Sequence, residues 1–291
     1  MLFRSAVSPW LLPYLADRPI VLTRYPDGIK GKSFYQKDAP DFVPSWIRTE
    51  RVWAKDAVGG EVVQRPSRRF NGSTGRNIDY FVVNDLETLR YIINLGAIPL
   101  HLWGSRVGSL DRPDWLILGL DPKGAPFTDV VKIARTLRRL LDGLELPSYV
   151  KTSGATGLHI LLPLGARYTY DETRTFARLL ATLGVEAEPE ISTIVRPVRA
   201  RGGKVYIDYL QNGHGQTIVA PFSVRPLPAA PVSCPLRWNE VIARLDPKRF
   251  TIKTMPARLA KVGDPGAPVL RESIDVAAAL PRIERKLGHA R

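Results

Sequence analysis

Apolar residues recur along this chain in two rhythms, one of period two and one of period three to four. Continuous or alternating apolar runs mark strands at Arg18 to Pro26, Tyr80 to Val83, Ile98 to Trp103 and Trp115 to Leu120. "SYVKTSGATGLHILLPL" reads as strand, Gly-rich turn, strand. "KVYIDYL" (Lys204 to Leu210) alternates, with Val205 and Ile207 on one face and Tyr206 and Asp208 on the other. "TIVAPFSVRP" reads as a strand ended by prolines. Between these lie helical stripes. Leu86, Leu89, Ile92 and Ile93 form one face of a helix that Asn84 caps, with Glu87 as its capping-box partner and Gly96 as its stop. Thr128 caps a helix to about Leu144 with Val131, Ala134, Leu137 and Leu141 inward and Lys132, Arg135, Arg138 and Arg139 outward. Thr169 and Glu172 form a second capping box, on a helix ending at Gly184.

Strands and helices alternate, so the fold class is α/β (or α+β). Residues 54 to 78 are polar, basic and Gly-rich and read as a mobile hairpin or loop. From about Arg237 onward the chain reads as helical and peripheral. The expected organisation is one domain over residues 1–245 and a helical extension, 246–291, packed on it. The start, "MLFRSAVSPWLLPYLADRP", is apolar but is broken by two prolines and Asp17, and makes a poor signal peptide. No apolar run reaches the ~20 residues of a membrane span.

Charge narrows the class of partner. The 291 residues carry 42 Lys and Arg against 28 Asp and Glu, a net charge of +14, which favours a polyanion and nucleic acid first. The one cysteine, Cys234, excludes an internal disulfide and any Cys-rich zinc site, and fits a reducing cytoplasm.

Candidate chemistry sits at strand ends. Asp121 closes one strand, and Asp208 lies in another. An acid inside an apolar strand is costly unless it is paired or metal-bound. Two readings stand: a shared divalent cation, for which hard oxygen ligands select Mg²⁺ or Mn²⁺, or an ion pair between Asp208 and an arginine. In "KTSGATGLHI", small residues let backbone N–H groups approach an anion, Ser153 offers a hydroxyl and His159 opens the return strand. "GIKGKS" is not a Walker loop, because Pro26 occupies the position of the first glycine. "RYPDGIKGKSFYQKDAP" interleaves Arg24, Lys30, Lys32 and Lys37 with Phe34 and Tyr35. It could hold nucleic-acid phosphates and stack bases, or be a solvated loop over two core aromatics.

Taken together, "RYPDGIKGKSFYQK", "NDLETLRYIINLGAIPLHLW", "DWLILGLDP", "KTSGATGLHILLPL" and "DYLQNGHGQTIVAPFSVRPLPAAPVSCPL" resemble the polymerase domain of bacterial DNA ligase D, a member of the archaeo-eukaryotic primase superfamily. The resemblance covers roughly residues 9 to 245. It implies a primase-type fold with central mixed or antiparallel sheets flanked by helices. It also implies metal-dependent (Mn²⁺ or Mg²⁺) addition of NTPs or dNTPs to a primer 3′-hydroxyl at nicked, gapped or recessed DNA ends during non-homologous end joining. Implied partners are Ku and ligase and nuclease activities, in a cytoplasmic, nucleoid-associated setting.

The resemblance also assigns residues. Asp121 and Asp208 are the implied catalytic metal ligands, while Gly119 stands where the family's Asp-x-Asp motif has its first acid. Ser153 and His159 are implied nucleotide contacts, and Thr156 replaces a usual lysine. His101 matches a nucleotide-site histidine, Arg225 a triphosphate-binding arginine and Lys37 a basic residue lining the site. Arg201 and Gln211 match site neighbours, and Trp53 is the implied platform for the incoming base. Apart from the resemblance, Lys30 and Lys32 of the basic aromatic stretch are the candidate DNA contacts. Relatives carry a further helical segment ahead of "SPWLLPYL", with a basic residue for a recessed 5′-phosphate; this chain starts after it. Gly119 sets an alternative beside the polymerase: a catalytically impaired module that binds DNA ends and recruits repair partners. A primase-like enzyme working outside end joining is a third reading.

Overall fold

The computed structural model describes residues 2–55, 68–70 and 73–288. In chain order the elements are α1 (Leu2–Leu15), β1 (Pro19–Arg24), β2 (Phe34–Gln36), β3 (Thr49–Lys55), β4 (Arg68–Phe70), β5 (Ser73–Val82), α2 (Leu86–Asn94), β6 (Ala97–Trp103), β7 (Trp115–Asp121), α3 (Phe127–Asp142) and β8 (Tyr149–Thr152). They continue with β9 (Leu158–Pro163), α4 (Tyr170–Ala187), β10 (Ser192–Thr193), β11 (Val205–Asp208), β12 (Thr217–Val219), β13 (Pro235–Leu236), α5 (Met255–Val262) and α6 (Val276–Gly288).

Among the described residues the strands form two sheets. The first has the order β12-β6-β1-β5-β3, with β2 beside β1 and β4 beside β5; its pairings are antiparallel. The second has the order β10-β11-β7-β9-β8-β13 and is mixed, because β10 runs parallel to β11. Helices α3 and α4 cover one face of the second sheet, where Ile207 packs toward Gly184 of α4. Strand alternation therefore sends Gly119, Asp121 and Asp208 to the other face, toward the first sheet. This is the α/β class with mixed and antiparallel sheets flanked by helices that the sequence implied.

A buried cation links the two sheets. Arg18, between α1 and β1, is fully buried and pairs with Asp114 at the start of β7. It also donates to Tyr14 O (3.0 Å) and Gly104 O (2.7 Å), and its guanidinium lies 3.8 Å from the Trp115 ring centroid. Arg106 holds the same carboxylate at 2.7 Å. Arg18 is buried but hydrogen-bonded through Nε, Nη1 and Nη2, and Asp114 is largely covered, the condition under which a desolvated charge is tolerated.

Several local expectations are corrected. The N-cap of α2 is Asp85, whose side chain accepts from Thr88 N; Asn84 instead bonds Asp17 through both atoms of its amide. Helix α3 starts after Pro126 without a side-chain cap, so Thr128 lies inside it. Helix α4 has the Thr169–Glu172 capping box but runs past Gly184 to Ala187. Of the stretch read as hairpin or loop, the described residues follow the hairpin alternative: 54–55 end β3 and 73–78 begin β5, which pair antiparallel, and 68–70 form β4; residues 56–67 and 71–72 lie outside the described residues. The chain after Arg237 is not merely peripheral, since Phe250, Met255, Leu259, Val269, Ile274, Ala279 and Ile283 join the main core.

Candidate active site

The site grows from strand register. Asp208 on β11 faces Gly119 on β7, Gly119 faces His159 on β9, and His159 faces Lys151 on β8. One row of side chains thus crosses four strands on the face opposite the helices. Asp121 lies two residues along β7 from Gly119, diagonal to Asp208, at a spacing of roughly 7 Å or less between Cβ atoms for such neighbours. Above the row, the first sheet contributes His101, which faces Val21 on one side and Val219 on the other.

Between the sheets lies a cavity of about 280 Å³ lined by His101, Gly119, Asp121, Ser153, Thr156, His159, Asp208, Gln211 and Arg225, among others. Across the strands the acids come from β7 and β11 and His159 from β9. The structure therefore brings together Asp121, Asp208, Ser153, His159, His101, Gln211 and Arg225. It adds Arg201 through an ion pair, its Nη1 donating to Asp121 Oδ2 at 2.9 Å. It does not bring in Trp53 or the lysines. Trp53 on β3 pairs with Asn77, which by register puts it on the face of the first sheet opposite His101. Lys30, Lys32 and Lys37 are exposed on the segment around β2 and do not line the cavity. That segment nevertheless reaches the rim, since the rings of Tyr35 and His101 are 6.0 Å apart.

Each acid has neighbours that hold it. Asp208 Oδ1 accepts from Tyr206 Oη (3.1 Å) and Leu210 N (2.9 Å), and Oδ2 accepts from Gln211 Nε2 (3.1 Å). Arg201 stacks on Tyr206, 4.4 Å from the ring centroid, and donates to Arg196 O from Nε and Nη2. Arg196 and Arg199 stand exposed on the loop that carries it, a basic surface beside the acids that sequence patterning did not single out.

The Gly-rich turn is built for close approach. Ser153 Oγ accepts from Ala155 N (3.1 Å) and Gly157 N (3.0 Å), which leaves its hydroxyl proton for another acceptor. A Cβ at Gly157 would stand 2.1 Å from Leu120 O, so no larger residue lets the turn close on the end of β7. Gly154, at φ +72°, leaves room for the Arg225 side chain, which a Cβ there would meet at 2.7 Å.

On the β8–β9 side of the cavity, among the described residues no acid pairs with Lys151 or Arg225. Burial pushes the His101 pKa down to about 4, helped by Arg225 and Lys151, and holds His159 and Lys151 well below their ordinary values. Burial also lowers Arg225, whose Nε is buried without a hydrogen-bond partner. Two residues here were not legible in sequence. Lys151 is 2 % exposed and bonds His159 Nδ1 at 2.9 Å. Asn212, also buried, accepts from Ile117 N (2.8 Å) and donates to Ile117 O (2.7 Å), replacing the backbone that β11 would have offered β7 at that position. It thereby fixes the turn that carries Gln211.

A divalent cation fits this donor set in reduced form. Two carboxylates on one face are hard oxygen donors, the number that Mg²⁺ commonly takes from protein when substrate phosphates and water complete its shell. Among the described residues no group of three or more His, Cys, Asp or Glu could hold a metal ion, and position 119 supplies no third carboxylate.

The chain is similar to known proteins over nearly its whole length. It matches the family model "LigD, primase-polymerase domain" over residues 1–266. It is 34% identical over 284 residues to the bifunctional non-homologous end joining protein LigD of Bacillus subtilis, covering 96% of this chain and 43% of that protein. It is 31% identical to the multifunctional LigD of Pseudomonas aeruginosa, covering 96% and 31%. The chain thus spans less than half the length of these relatives. The polymerase domain of Mycobacterium tuberculosis ligase D, solved in complex with DNA, shares the fold at a TM-score of 0.79 and 24% identity, over 94% of this chain and 91% of that one. On the family match over residues 1–266, this chain belongs to the LigD primase-polymerase domain family.

Proposed function

We propose that this chain is a nucleotidyltransferase of DNA-end repair, adding (ribo)nucleotides to a primer 3′-hydroxyl during non-homologous end joining. The observation that carries the reading is one cavity that joins two strand-borne acids, Asp121 on β7 and Asp208 on β11, to Ser153, His159, His101 and Arg225. A nucleoside triphosphate matches that combination. Its β- and γ-phosphates answer Arg225 and the donors of Ser153 and His159, and its α-phosphorus falls toward the acids. The 3′-hydroxyl gives up its proton to solvent as its oxygen attacks that phosphorus, the bond to the bridging oxygen breaks and pyrophosphate leaves. Ser153 and the His159 ring donate to phosphate oxygens, and Arg225 opposes the charge growing on the leaving group. Mn²⁺ or Mg²⁺, held by Asp121 and Asp208, would lower the pKa of the hydroxyl and offset phosphate charge when bound.

The net charge of +14 supports binding of DNA through its backbone. Ku and the ligase and nuclease activities of end joining are proposed as partners, in a cytoplasmic, nucleoid-associated setting; among the described residues no helix is long and apolar enough to cross a membrane. The proposed unit is residues 1–245 with 246–291 packed on it.

A second reading is favoured by Gly119 and by the hold of Arg201 on Asp121: a module that binds ends and nucleotide and transfers poorly. Primer extension on gapped DNA with Mn²⁺ separates the two. Extension that disappears in Asp208→Ala supports the enzyme. DNA binding without extension, in the natural chain and in Gly119→Asp alike, supports the module.

A further inference from the structure

The mechanism above uses His159 but not the side chain behind it. Lys151 lies at the inner end of the row, 2 % exposed, and among the described residues no acid forms an ion pair with it. Its Nζ donates to Ser233 Oγ at 2.7 Å, and Ser233 is fully buried. Ser233 Oγ donates in turn to Thr152 O at 2.9 Å, so it can only accept from Lys151. The other partner of Nζ is His159 Nδ1, 2.9 Å away. A lysine so deeply buried for two neutral partners is an expensive choice for a fold that could place an aliphatic residue there.

We propose that Lys151 is a positioning residue for nucleotide binding that acts through His159. By donating to Nδ1 it keeps the imidazole proton on Nε2, the ring edge left for the cavity, and fixes the ring plane. His159 then always offers a donor, never a lone pair, to a phosphate oxygen. Ser233 holds Lys151 in place for this. The arrangement mirrors the way a metal-bound or catalytic histidine is oriented from behind, except that the orienting group is an amine, a donor to Nδ1 rather than an acceptor from it. The inference rests on the proposed nucleotide site and names one further component of it.

The test is a double-mutant cycle read by calorimetric titration with ATP and magnesium, together with ¹⁵N–¹H correlation spectra of the imidazole of His159. His159→Ala is expected to weaken ATP at least tenfold, and Lys151→Met about tenfold. The double variant Lys151→Met/His159→Ala should bind within about twofold of His159→Ala alone, because the lysine has no route other than the ring. The His159 spectrum should show a single Nε2–H form in the natural chain and a mixture of tautomers in Lys151→Met. Ser233→Ala, a milder change, should move both readouts the same way and serves if Lys151→Met does not fold.

Three results would overturn the inference. Fully additive losses would mean that Lys151 acts independently of the ring. An unchanged His159 spectrum and ATP affinity in both Lys151→Met and Ser233→Ala, with His159→Ala still weak, would remove Lys151 and leave the proposed function standing. An unchanged affinity in His159→Ala would remove the histidine from the nucleotide site and take both readings of it down.

Discussion

Asp208 and Gly119 face each other across β11 and β7, and a Cβ added at position 119 would lie 3.3 Å from Asp208 Cβ. That spacing is tight but not prohibitive, and a carboxylate there would stand between Asp208 and His159. Gly119→Asp is therefore expected to raise Mn²⁺-dependent primer extension at least tenfold. It should lower stability in metal-free buffer by about 1–2 kcal/mol, through crowding and like-charge repulsion, and regain that loss when Mn²⁺ is added. Extension assays and thermal melts with and without the ion check both halves.

Removing Asp208 tests the acid that remains. Asp208→Ala should reduce extension by at least about 10²-fold, while affinity for gapped DNA, measured by anisotropy, stays within about twofold because DNA is held through cations elsewhere. That affinity should fall steeply between 50 and 200 mM salt, as phosphate neutralisation requires.

Acid should destabilise the free protein through the buried histidines of the cavity. The folded pKa of His101 is pushed down to about 4, below the ordinary 6.5, chiefly by burial. Above the ordinary value both folded and unfolded states are neutral there and nothing is lost. As pH falls from 6.5 toward 4 the unfolded chain takes up a proton that the folded one refuses, so stability drops, by about 1–3 kcal/mol from this residue. His159, shifted in the same direction, adds to the fall. Urea titrations at pH 7, 5.5 and 4.5 should show the loss, and His101→Gln should remove part of it.

Asn212 carries its weight through the backbone. Asn212→Ala would leave Ile117 N–H and C=O buried without partners and free the turn that presents Gln211 to Asp208. A loss of about 2–4 kcal/mol in unfolding free energy is expected, with extension falling further than the stability loss explains. Denaturant unfolding and activity at a temperature where the variant is fully folded separate the two effects.

The parts of the molecule legible in the sequence were those whose signal is local. The continuous apolar run of β7, the alternation of β11 and the Thr169–Glu172 box each follow from neighbours in the chain, and each matches the fold. Asp121 and Asp208 could be named because a strand-borne acid is conspicuous. Lys151 was not legible, since one lysine in a basic chain carries no mark of burial until β8 is paired with β9 and Ser233 arrives from 82 residues away. Asn212 resembled an ordinary turn residue for the same reason: its partner, Ile117, lies 95 residues distant. Asn84 reads in the sequence as the cap of α2, but its amide is taken up by Asp17, 67 residues away, and Asp85 caps the helix instead. The α1 helix keeps Pro9 and Pro13 inside it, because packing of Val7, Leu11 and Leu15 outweighs what local propensity argues against.

The lysine sealed behind His159 sets durability against purpose. Burial holds its amine well below its ordinary basicity, so folding carries a penalty at neutral pH that an aliphatic substitute would escape. A screen ranking variants by resistance to heat alone would drift toward Met or Leu at position 151. It would reward, generation after generation, sturdier molecules with a weakening grip on nucleotide.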